Sequence, residues 1–258
     1  MKVVILAGGF GTRISEESHL KPKPMVEIGE KPILWHIMKI YSHHGFNEFI
    51  ICLGYKGYYI KEYFAHYFLH ESDVTFDFTS NKQLIHNHHS VEQWKVTLVN
   101  TGLETATGGR LKKAQPYIGD ETFMLTYGDG VSNVDINKLV KFHQSHGKIA
   151  TVTSVQPVSK YGTFNITENN LVKGFKEKPQ ESNTWINAGF FVFKPEIFNY
   201  LNNQYMPLES EPLGKLARQE QLASFRHKGF WQSMDTLREK NILEDLWNSG
   251  KAPWKLWD

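Results

Sequence analysis

Short apolar runs alternate with helical patterns through about residue 155 of this 258-residue chain. The first run, "KVVIL", is apolar at every position after its lysine, which is typical of a strand covered on both faces of a parallel sheet. "KPILWHIMKIYSHHG" reads as a helix, with Pro32 near its first turn and Gly45 as its stop. This β-α-β-α order predicts an α/β fold with a doubly wound, mostly parallel, Rossmann-like sheet and right-handed crossovers.

The part of the chain after about residue 155 is less regular and predicts a smaller C-terminal α+β portion. Its strand patterns are "GTFNIT", "LVKGFKEKP", "NAGFFVFKP" and "LASFRH". In the first part, "GRLKKAQPYI" begins a helix that Pro116 should end. Residues 70–95 fit the alternation poorly, and we expect an insertion that carries a hairpin. No repeat or linker is evident, so we expect a single domain over 1–258.

The composition narrows the class of protein. Apolar residues make up 40% of the chain, which indicates a globular fold, and a net charge of +2 gives no broad basic field for nucleic acid. The run "VVIL" is shorter than the apolar core of a secretory signal, and no stretch approaches the ~20 apolar residues of a membrane helix. The single cysteine, Cys52, cannot form an internal disulfide. We therefore expect a cytoplasmic protein with no nucleic-acid or membrane partner.

The first strand runs into the glycine-rich stretch "LAGGFGTR", and "KPKP" begins at Lys21, eight residues after Arg13. Glycines after a strand let backbone N–H groups approach a phosphate, although this spacing is neither G-x-G-x-x-G nor a P-loop, and a glycine turn is often only a turn. Arg13 offers a bidentate fork for phosphate oxygens, and Pro22 and Pro24 restrict the backbone around Lys23. An ordinary solvated lysine is the alternative. Together these features predict a polyphosphate site at the carboxyl end of the first strand.

Two aspartates are candidate ligands for a divalent cation. Asp129, in "TYGDG", ends a predicted strand, where a carboxylate facing phosphate is a natural Mg²⁺ ligand. The alternative is an Asp-Gly turn. Asp235, in "GFWQSMDT", is the best partner carboxylate, and it could equally be the N-cap of the helix that follows.

A third group of candidates lies in "FKEKP" and "NAGFFVF". Glu177 can accept hydrogen bonds from sugar hydroxyl groups, and Lys178 can meet a second phosphate. Asn187 and the backbone of Gly189 can also contact hydroxyl groups. Charged pairs before proline are common at protein surfaces, so "EKP" alone carries little information.

Together these motifs resemble those of the sugar-1-phosphate nucleotidyltransferases, whose signature is L-A-G-G-x-G-T-R followed by K-P-K-P. "GDG" and "EKP" occur in the same order, and the resemblance covers essentially the whole chain. The resemblance is strongest to the branch that transfers a cytidylyl group to glucose 1-phosphate. It rests there on the segments "KPILWHIMK", "GYKGYYIKEYF", "TGGRLK", "TYGDGV", "GFFVF", "FWQSMDT" and "GKAPWKLW". The resemblance implies a GT-A-like nucleotidyltransferase fold, with 1–155 as the nucleotide-binding half and 156–258 as the sugar-phosphate-binding and C-terminal half.

The resemblance also implies a reaction and its participants. CTP and glucose 1-phosphate would give CDP-glucose, a precursor of bacterial surface polysaccharide, and pyrophosphate. Mg²⁺ would be the cofactor, and the enzyme would be a homo-oligomer, with a hexamer as one option. The attacking phosphate is already anionic at neutral pH, since its second pKa is about 6, so no general base is needed. Catalysis would depend mainly on positioning of the two substrates and on cationic groups that stabilise the negative charge of the transition state.

The resemblance gives each matched residue a role. Arg13, Lys23 and Asp129 would be catalytic, and Asp129 and Asp235 would hold the metal. Glucose 1-phosphate would meet Glu177, Lys178, Asn187 and Gly189. The residues implied for the nucleotide are Leu6, Ala7, Gly8, Gly9, Phe10, Gly11, Thr12, Arg13, Lys23, Thr107, Gly109, Arg110 and Gly128. Phe10 departs from the smaller or aliphatic residues frequent at its position, which matters little if only its backbone touches phosphate.

Three alternatives remain at this point. A dinucleotide-dependent oxidoreductase shares the strand–glycine–helix opening, but the glycine spacing is wrong for it. A regulatory protein that lost its chemistry should lack some of the charged site residues, and none is missing. Within the family, a thymidylyltransferase acting on glucose 1-phosphate is the main alternative, because the residues themselves do not select the base.

Overall fold

A seven-stranded sheet forms the centre of the computed structural model. The structure describes residues 1–14, 19–86, 92–157, 163–169, 171–176 and 184–257, without the side chains of 13, 70, 163–166 and 174–176. The strands of the central sheet are β1 (Val3–Ala7), β4 (Glu48–Leu53), β7 (Lys95–Asn100), β8 (Phe123–Tyr127), β10 (Ala150–Val155), β13 (Ile186–Phe193) and β14 (Leu222–Arg226). The shorter strands are β2 (Glu27–Ile28), β3 (Lys31–Pro32), β5 (Asp73–Asp77), β6 (Lys82–His86), β9 (Gly130–Ser132), β11 (Thr163–Ile166), β12 (Val172–Lys176) and β15 (Trp231–Ser233).

Seven α-helices are seen in the described residues. They are α1 (Ile33–His43), α2 (Gly57–Ala65), α3 (Tyr67–Glu71), α4 (Thr107–Ile118), α5 (Ile136–His146), α6 (Glu211–Arg218) and α7 (Leu237–Asn248). Short 3₁₀ helices cover Thr12–Ile14, Lys23–Met25 and Pro195–Tyr200. Among the described residues, no helix combines the length and the apolar character that crossing a membrane requires.

The strand order of the central sheet is β14-β10-β13-β8-β1-β4-β7. β1 lies parallel between β4 and β8, whereas β13 runs antiparallel to both β8 and β10. The expected mostly parallel α/β sheet is therefore confirmed. Because β1 and β8 are parallel neighbours, the loops that follow them emerge at the same edge of the sheet, which is where open α/β sheets bind ligands.

Both faces of the sheet are covered, which explains the continuous apolar pattern of β1. All five residues of β1 are buried. Val3 and Ile5 belong to the core cluster that contains the apolar side of α1, whereas Val4 belongs to the opposite cluster with Leu111 of α4. Successive side chains of a strand point to opposite faces, so a strand between two helical layers needs apolar residues at every position.

The helix α4 does not end at Pro116, contrary to the sequence-based expectation. It continues to Ile118 and ends at Gly119, which has φ +79° and whose N–H donates to the carbonyl of Gln115 at 3.0 Å. A proline in the last turn of a helix removes one intrahelical hydrogen bond near an end that frays in any case. The glycine with its positive φ, rather than the proline, therefore determines where the helix ends.

The insertion between α3 and β7 contains a two-stranded hairpin. β5 and β6 pair in antiparallel register, from Asp73 opposite His86 to Asp77 opposite Lys82. The side chains of Phe76, Phe78 and Leu84 on this hairpin are exposed.

A buried histidine connects the C-terminal segment to α1. The ring of His36 is fully buried, with Nε2 2.7 Å from the carbonyl oxygen of Ile28. The indole Nε1–H of the fully buried Trp254 donates to His36 Nδ1 at 3.4 Å, and the ring of Trp247 packs edge-on at 4.6 Å. These partners fit a neutral ring that donates from Nε2 and accepts at Nδ1. Burial lowers the pKa of His36 to about 4.

We predict that acidification destabilises the protein partly through His36. In the unfolded chain the pKa of a histidine is about 6.5. The neutral His36 ring therefore contributes fully to the free energy of unfolding above pH 6.5, and this contribution is lost as the pH falls towards 4. Between pH 7.5 and pH 5, His36 should lower the free energy of unfolding by about 2 kcal/mol. Urea unfolding of wild type and His36→Gln at both pH values measures it. The variant should lose about 2 kcal/mol less than wild type, and an equal pH dependence would contradict the assignment.

Candidate active site

A cavity of about 740 Å³ opens at the carboxyl ends of β1 and β8. Its wall consists of Leu6 to Thr12, Lys23, Pro24, Leu103 to Thr107, Arg110, Thr126 to Gly130, Asn187, Ala188, Glu209, Trp231, Ser233 and Asp235. Most residues singled out from the sequence thus surround one space. Their contacts with substrates remain predictions.

The glycine-rich loop after β1 presents backbone to this cavity. Gly11 has φ +67°, a conformation that favours glycine, and its carbonyl accepts a hydrogen bond from the N–H of Ile14 at 3.1 Å. A Cβ atom at Gly9 would meet no atom within 4 Å. Within the described residues, the N–H groups of Gly9 and Phe10 donate to no protein acceptor, which leaves them available to a bound anion. The Phe10 ring packs on that of Tyr55, with centroids 5.5 Å apart.

Two prolines and a 3₁₀ turn fix the backbone of Lys23. Pro22 has φ −65° and ψ 147°, and its carbonyl accepts from the N–H of Met25 at 2.8 Å. Pro24 packs close to Gly128, where a Cβ atom would lie 3.0 Å from Pro24 Cγ. Lys23 is only 7% exposed, although it lines the cavity. The alternative of an ordinary solvated lysine is therefore wrong.

Asp129 and Asp235 converge on the ammonium group of Lys23. Its Nζ lies 2.6 Å from Asp129 Oδ2 and 2.6 Å from Asp235 Oδ1. The antiparallel pair β9–β15 continues beyond its last strand residues, with the N–H of Met234 donating to the carbonyl of Asp129 at 2.8 Å. This pairing brings together two aspartates that are far apart in sequence. The ammonium group between them offsets part of the repulsion between the two carboxylates.

Asp235 is not the N-cap of α7. Thr236 is the N-cap, and its hydroxyl accepts from the N–H of Glu239 at 3.3 Å. The buried carboxylate of Glu239 accepts in return from the N–H groups of Thr236 and Asp235. This capping box satisfies the start of the helix, so that the Asp235 side chain can point to Lys23.

The two aspartates suit a divalent cation such as Mg²⁺ that takes its other ligands from phosphate oxygens and water. One oxygen of each carboxylate lies 2.6 Å from the same atom, Lys23 Nζ. In phosphate-transfer sites, Mg²⁺ is commonly held by one or two carboxylates together with phosphate oxygens and water. Among the described residues, no group of three or more His, Cys, Asp or Glu side chains could hold a metal by itself. The donor set therefore suits a metal that arrives with a polyphosphate.

Arg110 is buried beside the glycine loop. Its Nη2 donates to the carbonyls of Gly8 at 2.9 Å and Leu103 at 3.1 Å. Its Nη1 donates to Leu53, Thr101 and Gly102. These bonds join the ends of β1, β4 and β7. Because the guanidinium donates to protein acceptors, its position favours support of the loop over the predicted direct contact with the nucleotide.

Gly109 does not line the cavity, in contrast to the position expected from the motif. A Cβ atom there would lie 2.3 Å from the carbonyl oxygen of Gln204, and one at Gly108 would lie 2.6 Å from that of Met206. The glycine pair lets the 204–208 segment pack directly on α4. Thr107 does line the cavity, and its hydroxyl accepts from the N–H of Leu208 at 2.8 Å.

The β8 and β13 side of the cavity carries a polar network. Asn187 Nδ2 donates to the Tyr127 hydroxyl at 3.2 Å, and Tyr127 donates to Glu209 Oε1. Gly189 supports this network from outside the cavity: its N–H donates to Asn187 Oδ1 at 2.8 Å, and its φ is +81°. A Cβ atom at Gly189 would lie 2.5 Å from Tyr127, so the position requires glycine.

Several cavity residues were not expected from the sequence. Glu209 and Trp231 are the main ones, and Trp231 Nε1 donates to the carbonyl of Ala188 at 2.7 Å. The aromatic run before Asp235 was a signal for Trp231, whereas "PLESEP" gave none for Glu209. The Arg13 side chain, Glu177 and Lys178 lie outside the described residues, and their roles remain predictions.

Comparisons with known proteins agree with this geometry. The family described as Nucleotidyl transferase matches residues 2–236. The chain is 56% identical over 259 residues to the glucose-1-phosphate cytidylyltransferase of Salmonella typhi, with 100% of both chains covered.

Solved structures show the same fold. The crystal structure of HddC from Yersinia pseudotuberculosis complexed with GMP-PN superposes with a TM-score of 0.69, covering 95% of this chain and 99% of that one at 24% identity. UDP-glucose pyrophosphorylase complexed with UDP-glucose gives a TM-score of 0.69, covering 96% and 98% at 18% identity. At these identities the similarity concerns the fold, and the expected nucleotidyltransferase architecture is confirmed.

We predict that alanine at Gly8 lowers the stability of the protein, whereas alanine at the adjacent Gly9 does not. The Cβ atom of Gly8→Ala would lie 2.2 Å from Arg110 Nη1, so the variant must displace the guanidinium from its acceptors. Its free energy of unfolding should fall by about 1–3 kcal/mol. Gly9→Ala is the matched control, and its stability should be unchanged or slightly raised. Urea unfolding of both variants measures this, and equal stabilities would contradict the role of Arg110.

Proposed function

The chain belongs to the nucleotidyl transferase family, and from this premise we propose that it transfers a cytidylyl group from CTP to α-D-glucose 1-phosphate. A phosphate oxygen of the sugar phosphate attacks the α-phosphorus of CTP. The bond between the α-phosphorus and the oxygen that bridges to the β-phosphate breaks, and the products are CDP-glucose and pyrophosphate. The 56% identity to a glucose-1-phosphate cytidylyltransferase supports both substrates.

The observation that carries the proposal is the convergence of Asp129 and Asp235 on Lys23, next to the glycine-rich loop. The reaction brings two polyanions together and develops negative charge on the leaving pyrophosphate. A protein promotes such a transfer mainly by positioning the groups and by placing cations around them. This cavity combines a backbone anion site, a buried ammonium group and two carboxylates at one edge of the sheet.

The nucleophile needs no protein base. A phosphate monoester is largely a dianion at neutral pH, since its second pKa is about 6. The protein instead has to orient that oxygen opposite the leaving group and to exclude competing water. In this proposal Asn187 and Tyr127, on the β13 and β8 side of the cavity, would position the sugar phosphate while the glycine loop would hold the nucleotide.

Lys23 changes partners in this proposal. Its ammonium group starts between Asp129 and Asp235, 2.6 Å from each. Its third N–H can donate to a phosphate, and a metal ion that binds either carboxylate would displace the ammonium group from that oxygen. Breaking a buried pair is costly unless both charges find new partners, so this displacement should occur together with binding of the nucleotide and its cation.

We propose that Asp129 and Asp235 hold Mg²⁺ together with the CTP phosphates. When bound, the ion stabilises negative charge on the phosphate oxygens. Arg13 would stabilise the leaving pyrophosphate, while Glu177 and Lys178 would contact glucose 1-phosphate. The resemblance supports these three roles. It likewise supports a cytoplasmic homo-oligomer, a hexamer among the options, that supplies CDP-glucose for surface polysaccharide.

A matrix of nucleoside triphosphates and sugar 1-phosphates tests the substrates. Pyrophosphate release in the presence of Mg²⁺ should be fastest for CTP with α-D-glucose 1-phosphate, and chelation of the metal should abolish it. A maximum with dTTP would favour the thymidylyltransferase alternative. Absence of pyrophosphate in every combination would refute a nucleotidyltransferase activity.

A further inference from the structure

Glu209 is a carboxylate of the cavity that the proposed mechanism leaves unused. It lies just before α6, and its Oε2 accepts from the Thr107 hydroxyl at 2.6 Å while its Oε1 accepts from the Tyr127 hydroxyl. Asn187 Nδ2 donates to the same Tyr127 oxygen at 3.2 Å. Four side chains from different parts of the chain therefore form one connected network along the cavity wall.

The network fixes the carboxylate without saturating it. A carboxylate can accept about four hydrogen bonds, and in the described part of the chain only Tyr127 and Thr107 donate to Glu209. Each oxygen thus keeps capacity for another donor. Burial, followed by the negative charge of Glu209, raises the pKa of Tyr127, so its hydroxyl stays protonated and donating. Thr107 is fixed in turn by the N–H of Leu208.

The charge of Glu209 limits what it can face. A fixed carboxylate repels phosphate and attracts neutral hydrogen-bond donors such as hydroxyl groups. The anion-binding features of the cavity, the glycine loop and Lys23, follow β1 and its connection to α1. The Glu209 network lies instead at Tyr127, which ends β8, and Asn187, near the start of β13. If the nucleotide phosphates lie over β1, the sugar of the second substrate is the ligand that fits over β8 and β13.

We propose that Glu209 is a specificity-determining residue that accepts hydrogen bonds from ring hydroxyl groups of the sugar 1-phosphate. The inference rests on the proposed nucleotidyltransferase function and extends it to the choice of sugar. A carboxylate held in place by two hydroxyl donors would distinguish a sugar with a hydroxyl group at the facing position from one that lacks it. A site built to pair with a hydroxyl group discriminates strongly against analogues without it.

The first test compares Glu209→Gln with wild type in the CTP and glucose 1-phosphate reaction. The kcat/KM for glucose 1-phosphate should fall about tenfold or more, whereas the KM for CTP should change less than about twofold. Glu211→Gln is the matched control, because Glu211 lies two residues away and pairs with Arg218 outside the cavity. It should behave as wild type. Equal kcat/KM values in Glu209→Gln and wild type would overturn the inference.

Deoxy analogues separate a direct contact from a structural effect. Wild type should lose activity with at least one of the 2-, 3- and 4-deoxyglucose 1-phosphates, and that loss should largely disappear in Glu209→Gln. If every analogue is discriminated equally by both proteins, Glu209 does not contact the sugar. The same comparison is made with 2′-deoxy-CTP in place of CTP. If wild type loses activity with it and that loss disappears in Glu209→Gln, Glu209 faces the ribose and the inference is wrong. An inactive wild-type protein would refute the proposed function itself.

Discussion

The pairing of one buried ammonium group with two carboxylates is the interaction on which the site depends. Lys23 lies 2.6 Å from Asp129 and 2.6 Å from Asp235, and it is almost inaccessible to solvent. Two carboxylates this close repel each other in the absence of a cation. Lys23 supplies that cation in the free protein and so keeps both groups in the arrangement that a divalent ion and a phosphate would use. The two carboxylates are thereby held close together before any ligand binds.

The fold explains how three distant residues meet. Lys23 follows the glycine loop of β1, Asp129 follows β8, and the parallel pairing of these strands places both connections at one edge of the sheet. Asp235 arrives from the C-terminal part through the pairing of β9 with β15. The capping box of Thr236 and Glu239 then begins α7 without using the Asp235 side chain. Because other residues cap the start of α7, the Asp235 side chain can pair with Lys23.

The sequence was sufficient for the features that have a local signature. Continuous apolar runs predicted the parallel sheet, and the glycine loop with "KPKP" identified one wall of the cavity. Features that depend on distant backbone were missed or misplaced. Gly109 packs on Gln204 rather than on the cavity, and Pro116 lies inside its helix. Arg110 does line the cavity, but its hydrogen bonds to the ends of three strands had no local signal. Glu209 had no local signal, because its partners are about 80 and 100 residues away.

Binding of Mn²⁺ to the nucleotide-free protein tests the central pairing most directly. Electron paramagnetic resonance can compare wild type, Lys23→Met and the control Lys21→Met, whose lysine pairs with Glu27 instead. If Lys23 occupies the two aspartates, Lys23→Met should bind Mn²⁺ at least about tenfold more tightly than wild type, since no ammonium group has to be displaced. Lys21→Met should bind as wild type. Equal or weaker binding by a folded Lys23→Met protein would contradict the account.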